Sequence, residues 1–225
     1  MMPATAGTEI DIRDRSFSNA LMQRRVAKFG SPGRPREFDM EAVLDKAIDV
    51  FRERGYHATS ISQLSKATGL TTGSLYKAFS DKTDLFCTAL DRYVARRADA
   101  LSELLVNVKG GLEKVEMAVA FYADASLTGD GRRGCLLVNA ATESAAIGDV
   151  NLLRRVQDAL GQVERLLIEL IREGQADGSI STRVNEETAA RLMMCLFQGV
   201  SVVGAAGLPD LGVRSLVEAV VAGLK

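Results

Sequence analysis

Between Thr59 and Phe79 the chain reads TSISQLSKATGLTTGSLYKAF, hydroxyls and glycines set around a sparse series of leucines. Ser60-Ile61-Ser62-Gln63 has the form of a capping box, in which Ser60 and Gln63 satisfy each other's orphan backbone donors and open a helix. Gly69 supplies the stop about nine residues later, and Thr71 or Thr72 caps a third short helix running to Phe79. Two short capped helices joined by a turn containing Gly are the sequence form of a helix-turn-helix. Leu64, Leu70, Leu75 and Phe79 fall inward on this pattern, with Ala67 small where two helices cross closely. Thr71, Thr72, Gly73, Ser74, Tyr76 and Lys77 stay on the exposed side. Hydroxyls bond phosphates or base edges, Gly73 allows a close backbone approach, and Lys77 neutralises phosphate. The helix N-termini at Ser60 and Thr72 add N–H groups and a positive dipole end. A plainer reading stands beside this one: core helices of a bundle whose polar face serves solubility.

The charge pattern bears on that choice. Residues 1–90 hold 13 Lys/Arg against 11 Asp/Glu, and residues 91–225 hold 15 against 18. Residues 13–36 carry seven basic residues, Arg34 and Arg36 among them, and one acid, Asp14. A basic arm before an acidic globule suggests a polyanion partner at the N-terminal end; a solvated tail has the same composition. With a single histidine, His57, and three scattered cysteines, a dedicated His/Cys zinc site is nearly excluded and no cofactor is expected. There is no paired-carboxylate site, Ser/His/Asp set or phosphate-binding glycine loop to suggest an enzyme. No apolar run approaches the ~20 residues of a membrane helix, and no secretory signal opens the chain. The expectation is a soluble cytoplasmic protein with reduced thiols.

The positioning elements are all helical. Only Pro209 lies beyond residue 37, so helix is allowed throughout, and no period-two alternation proposes a sheet. Asp39 caps a helix to Arg54, with Val43, Leu44, Ala47, Ile48 and Phe51 on one face and Gly55 as its stop. Ser80 or Asp81 caps a long helix reaching roughly Val108. Further helices are expected at about 112–128, 136–147, 149–175, 185–206 and 211–224, broken by the glycine-containing segments between them. This gives about nine helices: a basic arm over 1–37 read as disordered, a helix-turn-helix domain over 38–84, and a helical bundle over 85–225.

Residues 38–86 resemble the DNA-binding domain of the TetR (tetracycline repressor) family of transcriptional regulators. The resemblance rests on "FRERGYHATS", "ATGLTTGSLYKAF" and the entry "SDKTDLF" to the fourth helix, in order and without gaps. It implies a three-helix DNA-binding domain followed by a variable helical ligand-binding and dimerisation domain, working as a homodimer. Carried over by position, Thr72, Gly73, Ser74 and Tyr76 fall where members touch bases or nearby phosphates. Thr59, Ser60, Lys77 and Lys82 fall at phosphate-contact positions. Many members have Lys where this chain has Thr72, so its operator is not borrowed from a relative. Gly33-Arg34-Pro35-Arg36 resembles the arm of many members, and Arg34 and Arg36 suit a narrow minor groove.

The C-terminal half is less legible. Gly134–Glu143, GCLLVNAATE, follows the basic pair Arg132-Arg133 and resembles a segment of one group of these regulators. Asn139 and Glu143 lie at i, i+4 on an apolar helix, so each either binds a ligand or bonds a neighbouring helix. Met117, Phe121, Tyr122, Met193, Met194 and Phe197 are candidates for an adaptable apolar pocket, and equally for plain core. Of Cys87, Cys135 and Cys195, only Cys135 stands in a setting that favours thiolate. The helices 186–206 and 211–224 are apolar over more than one face and require a partner; the resemblance implies a two-fold dimer interface there. A two-fold dimer reads a palindrome. The expected function is therefore a repressor released from a palindromic operator by an apolar or amphipathic effector. A redox-responsive regulator or activator of the same fold is one alternative, and an all-α enzyme or interaction protein without specific DNA binding is another.

Overall fold

The computed structural model describes residues 39–127, 133–207 and 212–225, and among these it contains nine α-helices and no strand. They are α1 (Met40–Arg54), α2 (Ile61–Thr68), α3 (Thr72–Ala78), α4 (Lys82–Leu105), α5 (Gly111–Leu127), α6 (Leu136–Ile147), α7 (Val150–Asp177), α8 (Glu186–Ala205) and α9 (Val213–Ala222). The expected arm over 1–37 with Arg34 and Arg36, Arg132, and the breaks at 129–131 and 208–210 lie outside the described residues.

Local signals account for most boundaries. The Asp39 carboxylate accepts from the Glu41 and Ala42 N–H groups, Asp81 rather than Ser80 caps α4 by accepting from Asp84 N–H, and Asn185 caps α8. Helix α4 stops at Leu105, short of the expected Val108. The buried stripe ends there, Val106 is 71% exposed, and Val108 N–H turns back onto Leu105 O at 3.1 Å. The last helix is likewise shorter than 211–224. Beyond it Leu224 is buried and its carbonyl accepts from Ser181 N–H at 2.9 Å.

Two apolar clusters form the core. The first joins Phe51, Leu64 and Leu75 of α1–α3 to Leu85, Phe86 and Leu90 of α4. It also takes in Leu136 and Ala140 of α6 and Leu152 and Val156 of α7, so the first three helices do not close a core of their own. The second gathers Leu101 and Leu105 of α4, Val115 and Val119 of α5, Leu167 and Ile171 of α7, and Met193 and Phe197 of α8. Helix α4 thus runs through both, a single rigid rod shared by the two halves.

At the α5–α7 crossing the backbones nearly touch. A Cβ on Gly111 would stand 2.0 Å from Gly174 N, so neither position tolerates a side chain without a shift. The start of α5 is capped from across this crossing, with Gly111 N–H donating to the Asp177 carboxylate at 2.8 Å and Leu112 N–H to Ser179 Oγ at 3.1 Å.

Helix α8 corrects the reading that no segment is apolar and long enough for a membrane: its 20 residues meet that test by length and composition. Arg191 and Gln198 divide its apolar residues into shorter runs, the longest of them around residues 199–208. One face, with Ala190, Met193, Phe197 and Val200, is nevertheless buried among the other helices.

An ion-pair network ties α1 to α4. Arg92 donates to both Asp45 oxygens at 2.7 and 3.0 Å, and Arg96 adds a contact of 2.8 Å. The Arg92 hydrogen bond is the largest influence holding the Asp45 carboxyl below its ordinary range, against the opposing effect of burial. A depressed carboxyl pKa stabilises the fold above the unfolded value of about 4, and that stability is lost as pH falls through the lower folded value. Asp45→Asn is therefore expected to lower the melting temperature at pH 7 and to flatten its fall below pH 4. Thermal melts across that range check this, and parallel curves for the two proteins would refute it.

Candidate nucleic-acid interface

Helices α2 and α3 form the expected motif from purely local chemistry. Ser60 Oγ accepts from Gln63 N–H at 3.2 Å while Gln63 Oε1 accepts from Ser60 N–H at 2.8 Å, completing the capping box. Gly69 takes the left-handed turn at φ 73°, ψ 8°. Two hydroxyls lock that turn: Ser65 donates to Leu70 O at 2.5 Å and Thr68 to Leu64 O at 2.7 Å. Thr71, not Thr72, is the N-cap of α3, accepting from Ser74 N–H at 3.1 Å with Ser74 Oγ at 2.9 Å. Leu64, Leu70, Leu75 and Phe79 are all buried. Thr72, Gly73, Tyr76 and Lys77 are exposed and fall on one side of α3 at i, i+1, i+4 and i+5. Tyr76 is 53% exposed, which no packing need explains. Ser74 is half-buried beneath them.

The loop between α1 and α2 changes the reading of two predicted phosphate contacts. Thr59 is buried, and its hydroxyl donates to Gly55 O at 2.6 Å, so it faces the loop and not solvent. Lys82 donates to Tyr56 O and Thr59 O, each at 2.9 Å, and stands 4.1 Å from the Tyr56 ring centroid. Burial pushes its pKa down, countered by the Glu143 charge. Two of the three ammonium donors of Lys82 thus serve carbonyls that no helix satisfies. Ser60 stays exposed, with its hydroxyl in the cap.

The same loop is held from the far side of the chain. One Glu143 oxygen accepts from Tyr56 N–H and the other from His57 N–H, both at 2.9 Å. Asn139 Nδ2 donates to Arg52 O at 3.1 Å, and Arg52 Nε donates to Gly134 O at 2.9 Å. Arg133 pairs with Asp49 at 3.1 Å. The close seating of Glu143 leaves no space at Gly55, where a Cβ would lie 2.3 Å from Oε1 and φ is +74°.

The fold and this geometry have clear counterparts. Residues 43–87 match the family model of bacterial regulatory proteins of the tetR family, and residues 111–205 match the tetracyclin repressor-like C-terminal domain. The HTH-type transcriptional repressor ComR of Escherichia coli is 35% identical over 178 residues, covering 76% of this chain and 82% of ComR. The chain belongs to the TetR family. The HTH-type transcriptional repressor BdcR of Escherichia coli is 36% identical over a shorter stretch, 33% of this chain and 38% of BdcR. A cysteine mutant of the TetR family regulator CifR, solved in complex with 26-bp double-strand operator DNA, superposes with a TM-score of 0.74. It is 29% identical and covers 86% of this chain and 100% of CifR. The protein is thus a DNA-binding transcriptional regulator of this family, which is one of regulators and not of enzymes.

In this TetR-family chain the C-terminal candidates divide. Met117, Phe121, Tyr122, Met193 and Phe197 come together in the second core cluster, with Tyr122 stacked on Phe197 at 4.4 Å between centroids. Asn139 and Glu143 are not among them. Their polar groups are committed to the end of α1 and its loop, which resolves the i, i+4 pair in favour of inter-helix bonding. Two residues that the sequence reading passed over stand beside the five. Arg97 lies 4.9 Å from the Phe121 centroid and 5.0 Å from that of Tyr122. Tyr93 OH donates to Cys135 Sγ at 3.5 Å. The Tyr93–Arg97 spacing of i, i+4 on a helix was the available signal. Cys87 is buried and its thiol is pushed up to about 11, chiefly by desolvation, and Cys195 is exposed. Among the described residues no group of three His, Cys, Asp or Glu side chains is placed to hold a metal ion.

Proposed function

We propose that the protein is a homodimeric repressor that binds a palindromic operator through α3 of each protomer and leaves it when a small apolar or amphipathic effector enters the C-terminal cluster. The observation that carries the reading is the outward face of α3. Thr72, Gly73, Tyr76 and Lys77 are exposed together on a short helix whose inward positions, Leu75 and the flanking Leu70 and Phe79, are buried. That arrangement suits base edges in the major groove, with Lys77 on phosphate. The repressor names of the relatives and the operator complex of CifR support it.

Dimerisation is supported by α8. Leu192 is 66% and Val202 58% exposed, and with Cys195 and Gly199 between them they line one side of the helix, away from its buried face. An apolar stripe of this kind requires a partner in water. An effector at the five-residue cluster would act on α4, which lies in both core clusters, and so on the spacing of the two α3 helices. A coupling of ~1–3 kcal/mol changes operator affinity about 5–150-fold. The site of action is the cytoplasm, where the DNA is.

Footprinting on the DNA beside the protein's own gene, in excess random competitor, tests the reading. The expected result is a protected site with two-fold symmetry and half-sites about one helical turn apart or a multiple of it. Protection that competitor removes, with only a steep salt dependence, would mean backbone contacts without sequence recognition.

A further inference from the structure

The four half-buried arginines among the described residues are Arg52, Arg92, Arg97 and Arg155. Arg92 holds the Asp45 carboxylate, Arg155 that of Asp91, and Arg52 a backbone carbonyl. Arg97 alone has no hydrogen bond or ion pair among the described residues. Its neighbours are ring faces: Phe121 at 4.9 Å, Tyr122 at 5.0 Å and Tyr93 at 5.8 Å from the guanidinium carbon. Rings attract a cation through their quadrupoles but carry no net charge and accept no strong hydrogen bond. The five N–H donors of the guanidinium therefore meet no acceptor among the described residues, in a position that limits their access to water. Tyr93 adds a second positive neighbour, since Arg52 lies 5.9 Å from its centroid.

We infer that Arg97 is the anchor of the effector site and that the effector is a small carboxylate with an apolar body. This rests on the effector-responsive reading and deepens it. A planar fork with free edges matches the two oxygens of one carboxylate. One unpaired cation calls for one negative charge. The remainder of the ligand would lie on Phe121, Tyr122 and Phe197, with Met117 and Met193 adapting to its shape. Because Arg97 projects from α4, the anion would pull directly on the helix that enters the DNA-binding domain.

The test uses the full-length protein, with octanoate and phenylbutyrate set against octanol and phenylbutanol. Thermal shift measures binding, and release of bound operator DNA measures response. The carboxylates are expected to bind and release DNA where the alcohols do not, and Arg97→Gln and Arg97→Met to weaken carboxylate binding at least about tenfold while leaving operator binding unchanged. Equal action of acids and alcohols on wild type and on both variants would overturn the anchor and leave an effector site in place. Silence of both series overturns the carboxylate inference, and a panel of neutral and cationic apolar compounds then separates the two readings: release by any keeps the effector reading, release by none removes it as well. Should both variants lose their helical signal, the salt dependence of carboxylate binding to wild type decides. An ion-paired anchor predicts affinity falling as salt rises, and a flat profile would overturn it.

Discussion

Glu143→Ala is expected to destabilise the protein by about 2 kcal/mol, read as a fall of about 4–8 °C in melting temperature for a chain of this size. The carboxylate accepts two backbone N–H groups of the α1–α2 loop, from Tyr56 and His57, at 2.9 Å each. A hydrogen bond to a charged group contributes roughly 1.5–3 kcal/mol, less where water can take its place. His57 is exposed and Tyr56 half-buried, so the loss falls short of two full bonds. Glutamine is not a remedy, because one of its two ends is a donor and would face an N–H. Gly55→Ala should resemble Glu143→Ala, since its Cβ would stand 2.3 Å from the same oxygen at a φ that disfavours alanine. A melting temperature for Glu143→Ala within a degree of wild type would contradict this. The consequence for regulation is direct. Helix α6 carries Asn139 and Glu143 against the end of α1 and its loop, and its N-cap residue Cys135 accepts from Tyr93 of α4. Glu143→Ala should therefore also weaken the effect of any effector on operator affinity.

What the sequence made legible, and what it hid, follows from the range of the interactions. The α2–α3 unit is written in local code. Ser60 with Gln63, Gly69, and Thr71 with Ser74 all act within four residues of one another, so the motif and its exposed face could be read directly. Thr59 and Lys82, expected at phosphate-contact positions, also bond a loop carbonyl array that the sequence does not show. Lys82 reaches back 23 and 26 residues to it. Glu143 finds its partners 86 and 87 residues away, beyond any periodicity argument. The i, i+4 pair of Asn139 and Glu143 announced only that polar groups on an apolar helix need partners. Arg97 was passed over because two of its three rings, Phe121 and Tyr122, come from α5, and the i, i+4 spacing along α4 reveals only Tyr93. Helix α8 misled differently: Arg191 and Gln198 divide its apolar residues into short runs, while the 20-residue helix as a whole meets the length and composition of a membrane span.

The second large effect bears on the central claim that α3 reads DNA sequence. Thr72→Ala with Tyr76→Ala should leave the fold intact, since both side chains are exposed and surface substitutions usually change stability by no more than ~0.5 kcal/mol. Specific binding should collapse. A good base contact is worth about 1–3 kcal/mol, and the double variant removes two per protomer and so four per dimer. A loss of about 1,000-fold follows even if each is worth only ~1 kcal/mol. Non-specific binding should survive, because Lys77 and the helix N-termini, which are assigned to phosphate, are untouched. The most direct measurement is a gel-shift titration of wild type and the double variant on the footprinted site and on random DNA, at two salt concentrations. The account predicts that the variant binds both DNAs alike, at the affinity wild type has for random DNA, with its melting temperature unchanged. A variant that still prefers the footprinted site as strongly as wild type does would contradict it and move sequence recognition off α3.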